Sequence, residues 1–255
     1  MKPSRLLALA TCAFAFWATS CPAAGESISV NIIGGAGSRL GKSISSGKSA
    51  GVVAVDAAYW NQVAEKTATE AISETVSNLV QYATGATSAQ ATPASVTIRA
   101  KNAYTSGVAP TNGNAEMVYG YLDDGVTDTG YGAQMAFSNI PYSRYDLYVY
   151  IGSDGGGTIG AVEVNGTWYP AQSTAWGARA DSRVAEVSLT ENRNYLKIAG
   201  LTSTSLTIKG ATSGDPSDTR TGLAGVQIVN QGEVLIATNY TATVANTAVT
   251  FSDVT

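Results

Sequence analysis

Residues 139–154 read N-I-P-Y-S-R-Y-D-L-Y-V-Y-I-G-S-D, and this stretch decides the fold. From Tyr145 to Ile151 the side chains alternate. Tyr145, Leu147, Val149 and Ile151 share one face of an extended chain, and Asp146, Tyr148 and Tyr150 share the other. Alternation at period two in β-branched and aromatic residues marks a half-buried antiparallel strand. The aliphatic face belongs to a core. The tyrosine face is expected outside it, with Tyr148 and Tyr150 in cross-strand pairs on the outer surface of a sheet.

The same grammar extends in both directions. Strands are predicted over 28–33, 50–55, 79–83, 95–100, 117–122, 131–137, 159–164, 182–189, 195–198, 205–208 and 225–229, with turn residues between them. Asn165-Gly166, flanked by two such runs, is a two-residue hairpin signal. Only 64–78 has helical spacing, through Ala64, Ala68, Ala71, Ile72 and Val76, against the poor helix propensity of its threonines and serines. Many short strands predict an all-β antiparallel jelly-roll β-sandwich with one short helical insert, spanning residues 25–230. Residues 231–255, rich in Thr, Ala and Val, read as an extended tail or the start of a further β module.

Length and composition fit this reading. The chain has 255 residues, 44% hydrophobic and only 13% charged, with 27 glycines. This is globular and loop-rich composition, and a domain of this size buries enough surface to need no covalent staples. No basic stretch follows a phosphate backbone, so nucleic acid is not an expected partner.

Residues 1–24 read as a secretory signal peptide. Lys2 and Arg5 make a positive start, an apolar run follows, and small residues end it at Ser20, Ala23 and Ala24. Cleavage is expected after Ala23 or Ala24. The alternative is lipoprotein anchoring at Cys21, because Ala18-Thr19-Ser20-Cys21 is loosely lipobox-like. Either way the chain is placed outside the cytoplasm, secreted or at the cell surface or periplasm. No membrane span is expected once the signal is removed.

Both cysteines, Cys12 and Cys21, lie in that leader, and the chain has no histidine. A mature chain cut after Ala23 or Ala24 has no thiol nucleophile, thiolate metal site or disulfide. It also lacks the commonest general base and transition-metal ligand, and the middle member of a Ser-His-Asp triad.

Several blocks in order resemble the galactose-binding-like β-sandwich domains, of carbohydrate-binding-module and malectin type, found in secreted bacterial surface proteins. They are Ser29-Val30-Asn31, Ala50-Gly51-Val52-Val53 with Trp60-Asn61, Gly120-Tyr121-Leu122-Asp123, the 140–154 block, Val164-Asn165-Gly166-Thr167 and residues 222–229. The resemblance covers about residues 28–230 and implies a jelly roll that holds glycan. It brings no catalytic residues. The chain departs from the pattern in the insert between Trp60 and Leu79.

Residues 36–43, A-G-S-R-L-G-K-S, match a relaxed phosphate loop, and Val52–Asp56 a companion acidic strand. Phosphate binding needs a helix opening directly after the loop, and residues 44–51 have no helical period. Asp123, Asp124 and Asp128 form the candidate site for a structural Ca²⁺, the one cofactor considered, although solvated turn carboxylates explain them as well. Glycoside hydrolysis needs two carboxylates across a sugar, and neighbours such as Asp123 and Asp124 point to opposite faces of a strand. Sugar recognition is better served by rings that stack on C–H faces beside polar groups. The ligand-binding candidates are therefore Trp168, Tyr169, Trp176 and Arg179 at a hairpin and its exit, with Tyr142 and Asp154 at the two ends of the quoted strand. Trp60 is expected in the core.

These readings point to an exported, non-catalytic module that binds carbohydrate or cell-envelope glycan. A structural or adhesive surface domain contacting other surface proteins is the alternative, and a glycoside hydrolase the third reading.

Overall fold

The structure is a computed structural model of the chain. It describes residues 25–36, 39–65, 71–83, 86–123, 133–152, 161–170, 185–211, 222–232, 240–244 and 247–251. In chain order the strands are β1 (Ser27–Ala36), β2 (Arg39–Leu40), β3 (Ser49–Ala50), β4 (Val55–Asp56), β5 (Asn61–Glu65), β6 (Ile72–Val76), β7 (Val80–Tyr82), β8 (Gln90–Ala91), β9 (Ser95–Ala100) and β10 (Asn102–Thr105). After one short helix, α1 (Gly113–Met117), come β11 (Gly120–Asp123), β12 (Gln134–Ser138), β13 (Tyr145–Gly152), β14 (Ala161–Val164), β15 (Thr167–Pro170), β16 (Tyr195–Leu201), β17 (Leu206–Ala211), β18 (Gly222–Asn230), β19 (Tyr240–Val244) and β20 (Thr247–Phe251). The fold is all-β, as expected, and two of its sheets make a sandwich.

The larger sheet is centred on the run β16–β13–β18–β1, all antiparallel. On its far edge β1 pairs antiparallel with β7 and parallel with β5. β11 reaches β18 beyond the end of β1 and carries β10. The smaller sheet has the order β15-β14-β17-β12-β9-β6. Between them lies one core. Ile28, Val30 and Ile32 of β1, Leu147, Val149 and Ile151 of β13, and Val226 and Ile228 of β18 pack with Val96, Ile98, Met135, Phe137, Val162 and Ile208 of the smaller sheet. Each is an alternate residue of its strand, so period two puts the apolar set on one side.

The helical reading of 64–78 fails in its described parts, 64–65 and 71–78, and residues 66–70 lie outside the described residues. Residues Asn61–Glu65 and Ile72–Val76 are strands, the first paired with β1 and the second with β9. Ala64 has φ 55, outside any right-handed helix. Pairing edges supplied by β1 and β9 override a spacing that propensity hardly supported. The described helix is elsewhere, capped by Asn112, whose side chain accepts from the Ala115 amide at 2.8 Å. The strand predicted over 182–189 also fails: its described part, residues 185–189, is not strand. The 50–55 strand splits into β3 and β4, joined by a turn.

The Asn165-Gly166 hairpin forms between β14 and β15, with φ 49 and φ 83 at the two turn residues. Both lie in the left-handed region that a type I′ turn requires. Trp60 is buried, its indole N–H donating to the Val55 carbonyl at 3.1 Å. No helix among the described residues is long and apolar enough to cross a membrane.

Candidate functional site

Of the residues singled out for ligand binding, Tyr142 requires correction. It is 1% exposed and belongs to the core between the sheets. Its hydroxyl donates to Gln81 Oε1 at 3.0 Å, and burial, with the nearby Glu26 charge, pushes its pKa up. A ring enclosed in this way cannot stack on a sugar. Tyr169 is half-buried and packs against the core from β15. Trp168 stands on the same strand, its backbone opposite Glu163. Asp154, Trp176 and Arg179 lie outside the described residues. So do Asp124 and Asp128 of the calcium triplet, whereas Asp123 ends β11 at 4% exposure. Among the described residues no group of three or more acidic, cysteine or histidine side chains is placed to hold a metal.

The tyrosine face of β13 is the larger correction. Tyr148 and Tyr150 do make cross-strand ring pairs, with Tyr195 of β16 at 6.0 and 6.1 Å. They are not a solvent-facing surface. A cap drawn from residues 44–60, α1 and residues 187–189 covers them, and Tyr150 is fully buried against Trp60 and Met117. The larger sheet therefore carries an apolar layer on each of its faces.

Two polar assemblies fasten the cap. At the first, the Tyr150 hydroxyl accepts from the Val52 amide at 2.7 Å and donates to Gln227 Oε1. Gln227 Nε2 then donates to Ser29 Oγ at 3.0 Å and to the Val53 carbonyl at 2.9 Å. Desolvation raises the pKa of the Tyr150 hydroxyl, which stays protonated as this geometry needs. At the second, Glu116 of α1 is buried and accepts from the Ser45 amide at 2.7 Å, the Ser45 hydroxyl at 2.8 Å and Lys48 Nζ at 2.9 Å, with Lys42 Nζ at 3.4 Å. Burial pushes the Glu116 pKa up, but the hydrogen bonds from Ser45 and Lys48 outweigh it and hold the carboxyl below its ordinary value. Lys42 of the phosphate-loop-like segment is thus committed to a carboxylate, and no helix follows it.

A shallow open groove of about 250 Å³ borders the cap, lined by Ser43, Ile44, Ser46, Ala57, Ala58 and Gln62. Its polar contributions are two hydroxyls and an amide whose oxygen already accepts from Asn31 at 2.7 Å.

The outer face of the smaller sheet carries no such cap in the contacts of the described residues. It presents registered polar rows. One runs Thr75–Thr97–Ala136–Thr207 across four strands, and the next runs Ser73–Arg99–Gln134–Lys209–Glu163 and reaches Trp168 at the edge. Thr75 and Thr97 share a hydroxyl hydrogen bond at 2.9 Å, Ser95 and Ser138 one at 2.8 Å, and Lys209 pairs with Glu163 at 3.1 Å. With strands about 4.8 Å apart, six of them make a platform about 24 Å wide. The pattern was present in S-V-T-I-R-A at 95–100, whose polar residues alternate with core aliphatics. By sequence alone such a polar strand face reads first as a solvated one.

Chemically this surface offers hydroxyl, amide and paired ionic groups for hydrogen bonding. Among the described residues the buried acids Glu116, Asp146 and Glu163 each face a lysine. Comparison with protein-family models, with curated proteins and with solved structures finds no match. The class of molecule is therefore defined by the fold: an all-β sandwich in which, among the described residues, one sheet is capped and the other is not.

Proposed function

We propose that the chain is an exported, non-catalytic binding module that recognises carbohydrate, as free or cell-envelope glycan, through the open face of its six-stranded sheet. The observation carrying this reading is the asymmetry of the sandwich. The tyrosine-rich sheet is sealed by a cap, while the other sheet turns rows of hydroxyl, amide, guanidinium and ammonium groups outward, with Trp168 at their end. A polyhydroxylated ligand matches such rows because each sugar hydroxyl both donates and accepts. The jelly-roll resemblance of residues 28–230 supports the same ligand class.

The test is binding of the mature chain to a panel of polysaccharides and envelope glycans. A glycan bound by the native chain and weakened tenfold or more by Gln134→Ala together with Thr97→Lys supports the reading. Binding unaffected by those changes but lost in Trp176→Ala moves the site to the hairpin exit.

A second reading, a structural or adhesive surface domain contacting other proteins, draws on one observation. Every tyrosine or tryptophan whose burial is described is buried or half-buried, so the described surface has no fully exposed ring for stacking. Absence of binding to any glycan selects this second reading. Release of reducing ends from a polysaccharide selects hydrolysis.

A further inference from the structure

We infer that the α-ammonium created when the leader is cut after Ala23 or Ala24 is the missing partner of the buried Glu26 carboxylate, which makes that cut a stabilising maturation step. Residues 25 and 26, just past the expected cut, are already held in place. The Gly25 amide donates to the Asn230 carbonyl at 3.0 Å, and the Asn230 amide donates to the Glu26 carbonyl at 2.8 Å. Residues 25–26 are thereby clamped to the end of β18, just ahead of β1. The Glu26 side chain is enclosed, 8% exposed, yet its Oε2 has no hydrogen-bond partner among the described residues. A buried carboxylate without a counter-charge is among the costliest groups a fold can hold.

No ion pair among the described residues involves Glu26. Tyr142, ahead of β13, lies close enough to feel the Glu26 charge, and its hydroxyl donates to Gln81 of β7. Tyr82 of β7 stacks on Tyr59 at 4.5 Å, and the Arg144 guanidinium lies beside Gly200.

Cleavage changes the chemistry at this point. A leader peptidase adds water across the amide bond; the departing leader keeps the new carboxylate, and the chain keeps the amine, which takes up a proton at neutral pH. One neutral N–H donor becomes a cation with three donors, within two residues of the orphaned oxygen. The pair forms only if the leader is removed at this position. In the uncut chain the same nitrogen is a neutral amide.

The inference rests on export with leader removal, which the proposed function shares, but not on glycan binding. The experiment begins by expressing the full chain in an exporting bacterium and measuring the intact mass of the product. A mature chain starting at Ala24 or Gly25 is expected. That chain is then compared in thermal melts with a version carrying three extra residues in front, which carry the ammonium about 10 Å away.

At pH 6.5 the native start is expected to melt about 3 °C or more above the extended one. In Glu26→Gln the two are expected to melt together. An α-amino group has a pKa near 8, and pairing with a carboxylate raises it. Its contribution is therefore complete below about pH 8 and is lost as pH rises through the raised value, so the gap closes at pH 10.5. Equal melting at pH 6.5, or a gap that persists in Glu26→Gln, overturns the inference while leaving the binding reading intact. A product that keeps residues 1–24, or is cut elsewhere, overturns it as well, and retention of the leader removes the export on which both readings depend.

Discussion

Replacing Tyr150 with Phe tests whether the cap is fastened by the hydroxyl network or merely rests on apolar contact. The substitution keeps the ring against Trp60 and Tyr195, at 6.5 and 6.1 Å, and removes one oxygen. That oxygen serves two partners, the Val52 amide and Gln227 Oε1. Val52 is partly exposed, so water replaces its lost acceptor cheaply. Gln227 is fully buried, and its Oε1 would be left without a donor. A lost hydrogen bond costs about 1 kcal/mol net, and a stranded buried acceptor about 1–3 kcal/mol. The expected loss is therefore about 2–3 kcal/mol, or roughly 5–10 °C in Tm for a chain of this size.

Urea unfolding of the native chain, Tyr150→Phe, Gln227→Met and the double variant reads this directly. Gln227→Met removes the acceptor that Tyr150→Phe strands, so in that background the tyrosine change should cost about 1 kcal/mol or less. A cost below about 0.5 kcal/mol in the native background, or an equal cost in both, refutes the network as the fastener.

Gly51→Ala should destabilise by about 2 kcal/mol or more, measured in the same unfolding assay: Gly51 has φ +95, and an added Cβ would sit 2.4 Å from Gln227 Oε1, a group locked by its other bonds. Gly166→Ala should cost only about 1 kcal/mol, because that turn residue has φ +83 but no atom within 4 Å of an added Cβ, leaving backbone strain as the sole penalty. Glu116→Gln should cost about 2–3 kcal/mol at pH 7 by weakening charge-assisted bonds to Ser45 and Lys48. The pH dependence should change with it: a carboxyl depressed by folding stabilises above its ordinary value near 4.5 and loses that contribution as pH falls through its lowered value, so Glu116→Gln should show a flatter melting profile below about pH 4.5 than the native chain.

The strands were legible because their evidence is local. Alternation over 145–151 needs no partner to be read, and Asn165-Gly166 specifies its turn from two residues. The misreadings share a different cause. Ala64 and its neighbours show a weak helical spacing, and what makes them strand is the edge of β1, whose paired residues lie about thirty positions earlier. Helix α1 is five residues long, too short for periodicity to register, and its only local mark is the Asn112 cap. Tyr142 shows how little an aromatic at a strand's end reveals about its exposure: it is buried in the core between the sheets, and its hydroxyl bonds Gln81, sixty-one residues away.

Alternation tells which residues share a face and is silent about what covers that face. Ser29 and Asn31 on β1 and Gln227 on β18 occupy polar alternate positions much as Thr97 and Arg99 do on β9. By sequence the two sets are equivalent outward faces. In the fold the first set is fully buried, and the Ser29 hydroxyl and both ends of the Gln227 amide are engaged beneath residues brought from 44–60. The second set is half-exposed. What separates them is whether some distant segment carries a complementary surface: Gly51, with no Cβ, lets the backbone approach Gln227 closely enough for the Val52 amide to reach Tyr150. A polar strand face therefore becomes a cap contact when a glycine-bearing turn elsewhere in the chain fits onto it, and stays open to ligands when none does. Among the described residues of this sandwich, the tyrosine-rich sheet meets such a turn and the outer face of the six-stranded sheet does not.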